Sequence, residues 1–292
     1  MAPTVLTAGH VNWDVTLRLD RLPEADGESM IRTQRQSGGG SAANVAAALA
    51  GLEVDTGLIG SVGDDDNGLL ARHDLESAGV SLSGLRVVEG AETAVKYLLV
   101  DDDGEVSILG NDGVNEAVRP ADLEPERIRA ADHVHLTSQR PETAAAIADI
   151  ATATGATVSF DPGRRFGDRE YDETLAVADV LFVTEHEAAA LADVDADLSD
   201  DRLVVTTAGG DGATVRTPDG TATHPGFDIE PVDTAGAGDA FAAGFLATRL
   251  AGGDIETALE YANACGALTA SRDGARNAPT AAEVDAFLAD RS

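Results

Sequence analysis

The run Asp233-Thr234-Ala235-Gly236-Ala237-Gly238-Asp239, followed directly by the apolar stretch 240–246, is the most informative part of this chain. Its small residues predict a tight turn that opens a helix, where free backbone N–H groups and the helix dipole favour an anion. Asp239 adds a carboxylate beside that anion site. This combination is expected where a base removes a proton from a hydroxyl group while the hydroxyl attacks a phosphate. The run therefore predicts phosphoryl transfer to an alcohol.

Short β-type segments alternate with alanine-rich helical segments along most of the chain. This alternation predicts an α/β fold, a doubly wound and mostly parallel sheet with helices on both faces. Ligands bind at the carboxyl ends of the strands in such sheets. The predicted strands are 5–7, 56–59, 133–137, 157–160, 180–183 and 203–206, the last being the final buried strand before the Asp233 turn. The predicted helices are 41–52, 67–78, 142–154, 185–191, 239–250, 254–271 and 280–289.

Two segments break the alternation and predict a small antiparallel β flap, called the lid below. Residues 15–36 alternate apolar and polar side chains, and residues 93–111 contain two β-type runs around an Asp-rich turn. We therefore assign 1–14, 37–92 and 112–292 to the α/β core, and 15–36 and 93–111 to the lid. Val95, Tyr97 and Leu99 alternate toward one face, which fits either a homodimer contact through the lid or a cover over the substrate within one chain.

The charge balance of the chain is strongly acidic. The 292 residues carry a formal net charge of −32, and Lys96 is the only lysine among 20 basic residues. Such a surface repels phosphates, so nucleic-acid binding is disfavoured. No apolar run reaches membrane-spanning length, and no basic segment followed by an apolar one opens the sequence. We expect a cytoplasmic protein without a membrane partner. The acidity of the chain predicts a halophilic protein that works in a salt-rich cytoplasm.

The stability of the folded chain is expected to depend on salt. Molar KCl shortens the screening length to about 3 Å, which weakens the mutual repulsion of the acidic groups. We predict a melting temperature that rises by several degrees between dilute buffer and molar KCl, measured by thermal unfolding. An unchanged melting temperature would contradict the halophilic interpretation.

Other phosphate-handling folds do not match the sequence. A Walker A loop requires a lysine before Ser or Thr, but the single lysine lies between Val95 and Tyr97. A protein kinase requires its own lysine and a His-Arg-Asp loop, and neither is present. The Gly236-Ala237-Gly238 turn is followed by Phe241 where a dinucleotide fingerprint has glycine. P-loop and protein-kinase folds are therefore excluded, and a Rossmann site fits poorly.

Two further motifs precede the Asp233–Asp239 run. Asn12 and Asp14 lie in the run 9–14 that follows the first predicted strand, where both side chains can face a crevice and hydrogen-bond vicinal hydroxyls. A polar strand end without a ligand is the alternative interpretation. The glycines 38–40 open a helix and allow the backbone to approach a ligand closely. Asn44 lies one turn into that helix and can point back at the same ligand.

Together these motifs resemble the ribokinase-like, or PfkB-type, carbohydrate kinases, and the resemblance covers essentially the whole chain. It implies a ribokinase-like fold, a sugar-type substrate, and Mg²⁺ with ATP. It implies that Asp239 is the catalytic base and that the amides of Ala235, Gly236, Ala237 and Gly238 form the anion hole. The implied sugar-binding residues are Asn12, Asp14, Gly39, Gly40 and Asn44; the implied nucleotide-binding residues are Thr207, Gly209, Gly212 and Asn263.

The chain departs from the family pattern at two places. Thr184 stands where the family has Asn in Asn-x-x-Glu, while Glu187 is retained and is expected to contact Mg²⁺ through water. Gly163 stands where Asn is common after Asp161. Asp233 matches a position near a monovalent-cation site in some members, so K⁺ is a further candidate cofactor.

The acceptor is less well defined than the reaction. Lys96, Arg140, Arg164 and Arg165 lie in the lid or in loops after predicted strands, and they are candidate contacts for an anionic sugar. The alternative is that these cations pair with surface carboxylates. The segments 158–163 and 182–187 resemble archaeal nucleoside-kinase-type members, which implies a ribose ring phosphorylated at its primary hydroxyl. That ring carries either a base or a phosphate at C1, and the additional arginines favour ribose 1-phosphate over a nucleoside. Ribose, fructose, 2-keto-3-deoxygluconate and a catalytically silent sugar- or nucleotide-binding sensor remain alternatives.

Overall fold

The computed structural model describes residues 4–103, 105–191 and 202–291. Its larger sheet, within these residues, has nine strands in the order β13-β12-β11-β10-β9-β8-β1-β4-β5. The pairs from β11 to β5 are parallel, as predicted, while β11–β12 and β12–β13 are antiparallel. The strands are β1 Thr4–Ala8, β4 Asp55–Gly63, β5 Ser81–Val88, β8 His133–Leu136, β9 Thr157–Phe160, β10 Val180–Thr184, β11 Leu203–Thr207, β12 Ala213–Thr217 and β13 Gly220–His224.

Helices cover both faces of this sheet. Val5 and Leu6 are adjacent on β1, yet Val5 packs into one apolar cluster with Phe245 and Leu6 into another with Ile147. Neighbouring residues of a strand point to opposite faces, so both faces of this central strand are buried. The helices are α1 Ser41–Gly51, α2 Asp66–Ser77, α3 Pro125–Arg129, α4 Pro141–Thr152, α5 Asp172–Val177, α6 Glu185–Leu191, α7 Ala237–Leu250, α8 Ile255–Ala270 and α9 Ala281–Ala289.

A smaller four-stranded sheet stands beside the large one in the order β3-β2-β6-β7. Its strands are β2 Asn12–Leu19, β3 Ile31–Gly39, β6 Ala94–Val100 and β7 Val106–Gly110. The β2–β3 and β6–β7 pairs are antiparallel, as predicted for the lid, and β2 joins β6 through a parallel pairing that was not predicted. Both predicted lid segments contribute to this sheet, while the division of the chain into core and lid stays a prediction.

Three strands of the large sheet were not predicted. The interpretation of 203–206 as the final buried strand was wrong, because β12 follows with Ala213 and Val215 buried. β5 and β13 lie at the two ends of the sheet, where most of their side chains are exposed or only half-buried. Edge strands bury too little apolar surface to give the strong hydrophobic signal that identifies central strands.

Among the helices that the structure describes, none combines the length and the apolar character needed to cross a membrane. The fold brings the ends of β1, β8, β9, β10 and β11 to one edge of the large sheet, as parallel pairing requires. The N-termini of α1 and α7 are joined at this edge by a hydrogen bond from Asn44 to Asp239. Residues that lie far apart in the sequence therefore meet here.

Candidate active site

Asp239 lies in the first turn of α7, directly after the glycine turn. Gly236 is the residue before the helix and has a left-handed backbone with φ of 76°. A Cβ atom at Gly236 would collide with the carbonyl oxygen of Ala275, so this position requires glycine. In contrast, a Cβ atom at Gly238 would meet nothing within 4 Å. The turn therefore presents open space beside the helix N-terminus, where an anion is favoured.

The hydrogen bonds of the turn restrict the predicted anion hole. The Ala235 amide donates to Asp233 Oδ1 at 2.9 Å, and the Ala237 amide donates to the Thr234 carbonyl at 3.2 Å. These two amides stabilise the turn itself. The anion-hole prediction therefore rests mainly on the amides of Gly236 and Gly238.

The carboxylate of Asp239 is held by α1. Asn44 Nδ2 donates to Asp239 Oδ2 at 2.7 Å, and the Ser41 side chain gives a further hydrogen bond. Burial raises the pKa of Asp239 to about 6, and the hydrogen bonds and nearby cations act against this shift. A carboxylate with a pKa near 6 is ionised at neutral pH and is more basic than an ordinary aspartate, as a general base requires.

Asn12 and Asp14 lie on the same face of β2. Lys96 and Arg276 act electrostatically on both Asp14 and Asp239, so these two carboxylates lie near the same cations. A Cβ atom at Gly39 would fall on the Asp14 carboxylate, so the backbone and this side chain are in close contact. Asn12 Nδ2 and Asp14 Oδ1 are buried, and neither has a hydrogen-bond partner among the described residues. Buried polar atoms normally have partners, so these two atoms are suited to bind the hydroxyls of a ligand. Gly40, also predicted here, is buried before α1 with φ of 91°.

Arg276 is a site residue that the sequence interpretation missed. Its Nε donates to Asn44 Oδ1 at 3.1 Å, and its Nη2 donates to the Gly39 carbonyl at 3.2 Å. It also faces Asp74, with 3.5 Å between Arg276 Nη1 and Asp74 Oδ2. Burial lowers the pKa of its guanidinium, while the nearby carboxylates raise it. Arg276 thus orients the Asn44 amide that holds the base, and its loop carries no motif that could have indicated this contact.

The Asp161 carboxylate, directly after β9, lies near Glu187 on α6 and Asp239 on α7. Burial, Asp239 and Glu187 together raise the pKa of Asp161 to about 8. Such mutual repulsion is relieved when a cation binds. Among the described residues, no group of three His, Cys, Asp or Glu side chains could hold a metal ion directly. The carboxylates therefore fit Mg²⁺ that is bound to the phosphate groups of a ligand, with water molecules between the metal and the carboxylates, as is common for this ion. Asp161 was not among the predicted site residues.

Thr184, which replaces the usual Asn, has a structural contact. The Thr184 amide donates to Glu187 Oε2 at 2.8 Å, and the Glu187 amide donates to Thr184 Oγ1 at 3.3 Å. This reciprocal pair is the capping-box arrangement found at helix N-termini. Thr184 therefore starts α6 and fixes the orientation of Glu187.

The predicted nucleotide loop follows β11. Thr207 ends the strand, a 3₁₀ turn spans Gly209–Asp211, and Gly212 has φ of 88°. A Cβ atom at Gly209 would meet nothing within 4 Å, so this part of the turn faces open space. Asn263 on α8 is buried and donates from Nδ2 to the Leu259 carbonyl at 2.7 Å. The loop is open to a ligand, and its nucleotide contacts stay a prediction.

Asp233 stabilises two loops. Its Oδ1 accepts the Ala235 amide at 2.9 Å and its Oδ2 accepts the Gly274 amide at 3.0 Å. These bonds connect the glycine turn to the loop that carries Arg276. The predicted monovalent cation at Asp233 would have to share these oxygens with the amides.

The four basic residues that were predicted to contact an anionic sugar have different environments. Lys96 is exposed on β6 opposite Asp14 in the β2–β6 register, and its charge acts on Asp14 and Asp239. Arg140 faces Glu116, with 3.6 Å between Arg140 Nε and Glu116 Oε2. Arg164 is exposed. The side chain of Arg165 lies outside the described part of the structure.

The pKa of Asp239 predicts the pH dependence of the reaction. Only the ionised carboxylate can accept a proton, so kcat/KM for the acceptor is expected to fall about tenfold per pH unit below about 6. The measurement is kcat/KM between pH 4.5 and 8 in constant molar KCl. Because the folded pKa is raised, the stabilising effect of protonation at Asp239 is lost as the pH rises through about 6. An activity that stays constant down to pH 5 would exclude Asp239 as the titrating base.

A buried carboxylate in the first turn of a helix, together with unpartnered buried polar atoms on β2 and an open glycine turn, fits a phosphotransferase acting on an alcohol. The chain matches the family described as pfkB family carbohydrate kinase over residues 2–282. It belongs to this family, so the resemblance found from the sequence is confirmed, and the protein is a kinase.

Comparisons with individual proteins agree with this assignment. The chain is 72% identical over 292 residues to the ATP-dependent ribose-1-phosphate kinase of Halopiger xanaduensis, covering 98% of both chains. It is 28% identical to the nucleoside kinase of Methanothermobacter thermautotrophicus, covering 96% of this chain and 93% of that one. The structure of Arabidopsis thaliana ribokinase complexed with ribose and ATP superimposes with a TM-score of 0.87, 25% identity and 99% coverage of both chains. The predicted ribokinase-like fold is confirmed.

Proposed function

We propose that the protein transfers the γ-phosphoryl group of ATP to the primary hydroxyl on C5 of ribose 1-phosphate. The observation that carries this proposal is the 72% identity, over nearly the whole chain, to an ATP-dependent ribose-1-phosphate kinase. The polar side chains of β2 support it, because Asn12 and Asp14 offer buried polar atoms to vicinal hydroxyls, and Asp14 shares the cations Lys96 and Arg276 with Asp239. A nucleoside is the second candidate, since an archaeal nucleoside kinase is 28% identical.

The chemistry follows from the position of Asp239. The carboxylate accepts the proton of the C5 hydroxyl, and the oxygen attacks the γ-phosphorus in line with the bond to the bridging β–γ oxygen. That bond breaks and ADP leaves with the electron pair. The amides of Gly236 and Gly238 stabilise the negative charge on the moving phosphoryl group. Closure of the lid over the acceptor excludes water that would otherwise hydrolyse ATP.

Mg²⁺ enters the reaction as part of the Mg·ATP substrate. Asp161 and Glu187 would contact it through water, and the metal would neutralise charge on the phosphates. K⁺ beside Asp233 is a further prediction. It is tested by comparing kcat in molar KCl with kcat in an equal concentration of NaCl, where equal rates would argue against it. A cytoplasmic location stays a prediction that agrees with the use of ATP.

The substrate is tested by ATP-dependent release of ADP in molar KCl with Mg²⁺. The acceptors are ribose 1-phosphate, nucleosides, ribose, fructose and 2-keto-3-deoxygluconate. We expect kcat/KM for ribose 1-phosphate to exceed that for each neutral acceptor by at least tenfold. A preference for a neutral acceptor would overturn the proposed substrate and leave the kinase assignment intact. Absence of turnover with every acceptor would favour a silent binding protein.

We propose that two copies of the chain associate through the lid. The supporting observation is that Val106 and Ile108 are exposed on one face of β7, while Tyr97 and Leu109 are exposed on the opposite face. Ile108→Glu is expected to convert the dimer to a monomer in light-scattering measurements in molar KCl, because a charge cannot be buried cheaply at an apolar contact. Leu69→Glu, on the exposed face of α2, is the control. A monomeric wild-type protein would contradict the proposal.

A further inference from the structure

A cluster of charged side chains lies next to the acceptor pocket and has no role in the mechanism above. Glu116 is at its centre, in the segment after β7. Arg169 Nη1 lies 2.7 Å from Glu116 Oε1, and His10 Nε2 lies 3.5 Å from the same oxygen. Arg140 Nε lies 3.6 Å from Glu116 Oε2. The guanidinium of Arg169 also donates to the Gln139 carbonyl at 2.8 Å, which fixes it at the end of β8.

One residue separates this cluster from the hydroxyl-binding pocket. Asn115, directly before Glu116, is buried and donates from Nδ2 to Asn12 Oδ1 at 2.6 Å. Its Oδ1 accepts the Val11 amide at 3.1 Å. Asn115 therefore positions Asn12 on one side, and its neighbour positions two arginines on the other. A ligand that contacts the free Nδ2 of Asn12 is close to the cluster.

The cluster and the Asp239 carboxylate are surrounded by different cations. Arg276 and Lys96 are the cations that lower the pKa of Asp239 and Asp14. For Glu116, the pKa is lowered by Arg169 and His10 instead. In a furanose, C5 is attached at C4 beside the C3 hydroxyl, and C1 is beside the C2 hydroxyl. A sugar with its C5 hydroxyl at Asp239 and its vicinal hydroxyls at Asp14 and Asn12 therefore directs C1 toward Glu116 and its arginines.

The charge of the cluster is unusual for this protein. Arg140 also approaches Glu142, with 3.9 Å between Arg140 Nη1 and Glu142 Oε1, and Arg119 approaches the same oxygen at 3.4 Å. Among the described side chains, the guanidiniums of Arg119, Arg140 and Arg169 thus gather around Glu116 and Glu142 in a chain of net charge −32. Arg140 keeps 38% of its side chain exposed and Arg169 keeps 19%, so both have surface left for a ligand.

We propose that Arg140 and Arg169, oriented by Glu116 and assisted by His10, bind the phosphate on C1 of the acceptor. This inference rests on the proposed function, and it assigns substrate specificity to a site that the hydroxyl-binding residues do not include. Arginine is suited to this role because its planar fork matches phosphate oxygens. Glu116 is a positioning residue: its carboxylate holds the guanidiniums in place, and the pKa of Glu116 is lowered to about 2 by His10 and Arg169, so it stays charged.

The test is direct binding of ribose 1-phosphate, measured by calorimetry in molar KCl without ATP. Arg169→Gln and Arg140→Gln are each expected to weaken this binding about 10- to 100-fold, the range for a lost charged hydrogen bond. Binding of ribose, which lacks the phosphate, is expected to change by less than threefold. At saturating ribose 1-phosphate, kcat is expected to stay within about threefold of wild type, because the chemistry at Asp239 is untouched.

Arg129→Gln is the matched control. It removes the same charge from an exposed Arg–Glu pair on α3, before the start of β8, and should leave the affinity unchanged. Arg169→Lys should recover part of the affinity by restoring charge without the fork. If Arg169→Gln fails to fold, Arg140→Gln gives the same test at a half-exposed position.

The outcomes separate this inference from the proposed function. Wild-type protein that does not bind or phosphorylate ribose 1-phosphate overturns the proposed function and this inference with it. If Arg169→Gln and Arg140→Gln both bind ribose 1-phosphate as tightly as the wild-type protein, the phosphate site alone is overturned, and the cluster serves loop stability. Equal weakening of ribose and ribose 1-phosphate also overturns it, because that result indicates general damage to the pocket.

Discussion

Asp239→Asn is expected to lower kcat about 10²- to 10⁴-fold while the affinity for ATP stays within about threefold. A positioned general base contributes rate enhancement of this size, and asparagine keeps the shape of the side chain without its basicity. The oxygen that accepts the Asn44 amide is retained in the variant. Because burial disfavours the ionised carboxylate and raises its pKa to about 6, the neutral variant should melt at the same temperature or higher.

The measurements are single-turnover phosphoryl transfer, equilibrium binding of ATP and thermal unfolding, all in molar KCl. Asp149→Asn, on the exposed surface of α4, is the control for loss of one negative charge. Retention of more than a tenth of wild-type kcat, a barrier change under about 1.4 kcal/mol, would remove Asp239 as the base.

Two glycines of the same turn should respond to alanine in opposite ways. Gly236→Ala places a Cβ in the left-handed region and against the Ala275 carbonyl. Left-handed strain and overpacking together cost about 2–4 kcal/mol, so we expect the melting temperature to fall by roughly 5–10 °C. Gly238→Ala meets nothing within 4 Å, so stability should be kept or slightly raised by the better helix propensity of alanine.

Activity distinguishes these variants further. The methyl group in Gly238→Ala would occupy the space that we assign to the moving phosphoryl group, and we expect kcat to fall at least about tenfold. Thermal unfolding and kcat measured on the same preparations separate the two effects. A stable Gly238→Ala variant with wild-type kcat would place the phosphoryl group elsewhere.

Local motifs indicated two side chains that the structure brings together. Asp239 lies in a glycine turn, and Asn44 follows a second glycine run; the structure joins them by one hydrogen bond across 195 positions of sequence. Each side chain was identified from its own neighbours and from the family resemblance. Their meeting follows from parallel strands that end at one edge of the sheet.

The missed residues share a different property. Arg276 contacts Asn44 across 232 positions, and Asn115 contacts Asn12 across 103. Neither residue lies in a pattern of spacing or composition, because each acts through a partner from a distant element. The parallel β2–β6 pairing was missed for the same reason: local alternation predicts a strand but not its neighbour. Tertiary contacts of this kind require the fold before they can be assigned.

Lys96 gives the protein a practical property. It is the only lysine of the chain, and it is exposed on β6 opposite Asp14. An amine-reactive dye therefore has one lysine side chain to label besides the α-amino group of the chain, and that side chain lies in the lid opposite Asp14. No cysteine needs to be introduced or removed, because Cys265 is buried. Once the α-amino group is blocked, a dye on Lys96 reports on the lid from one known position.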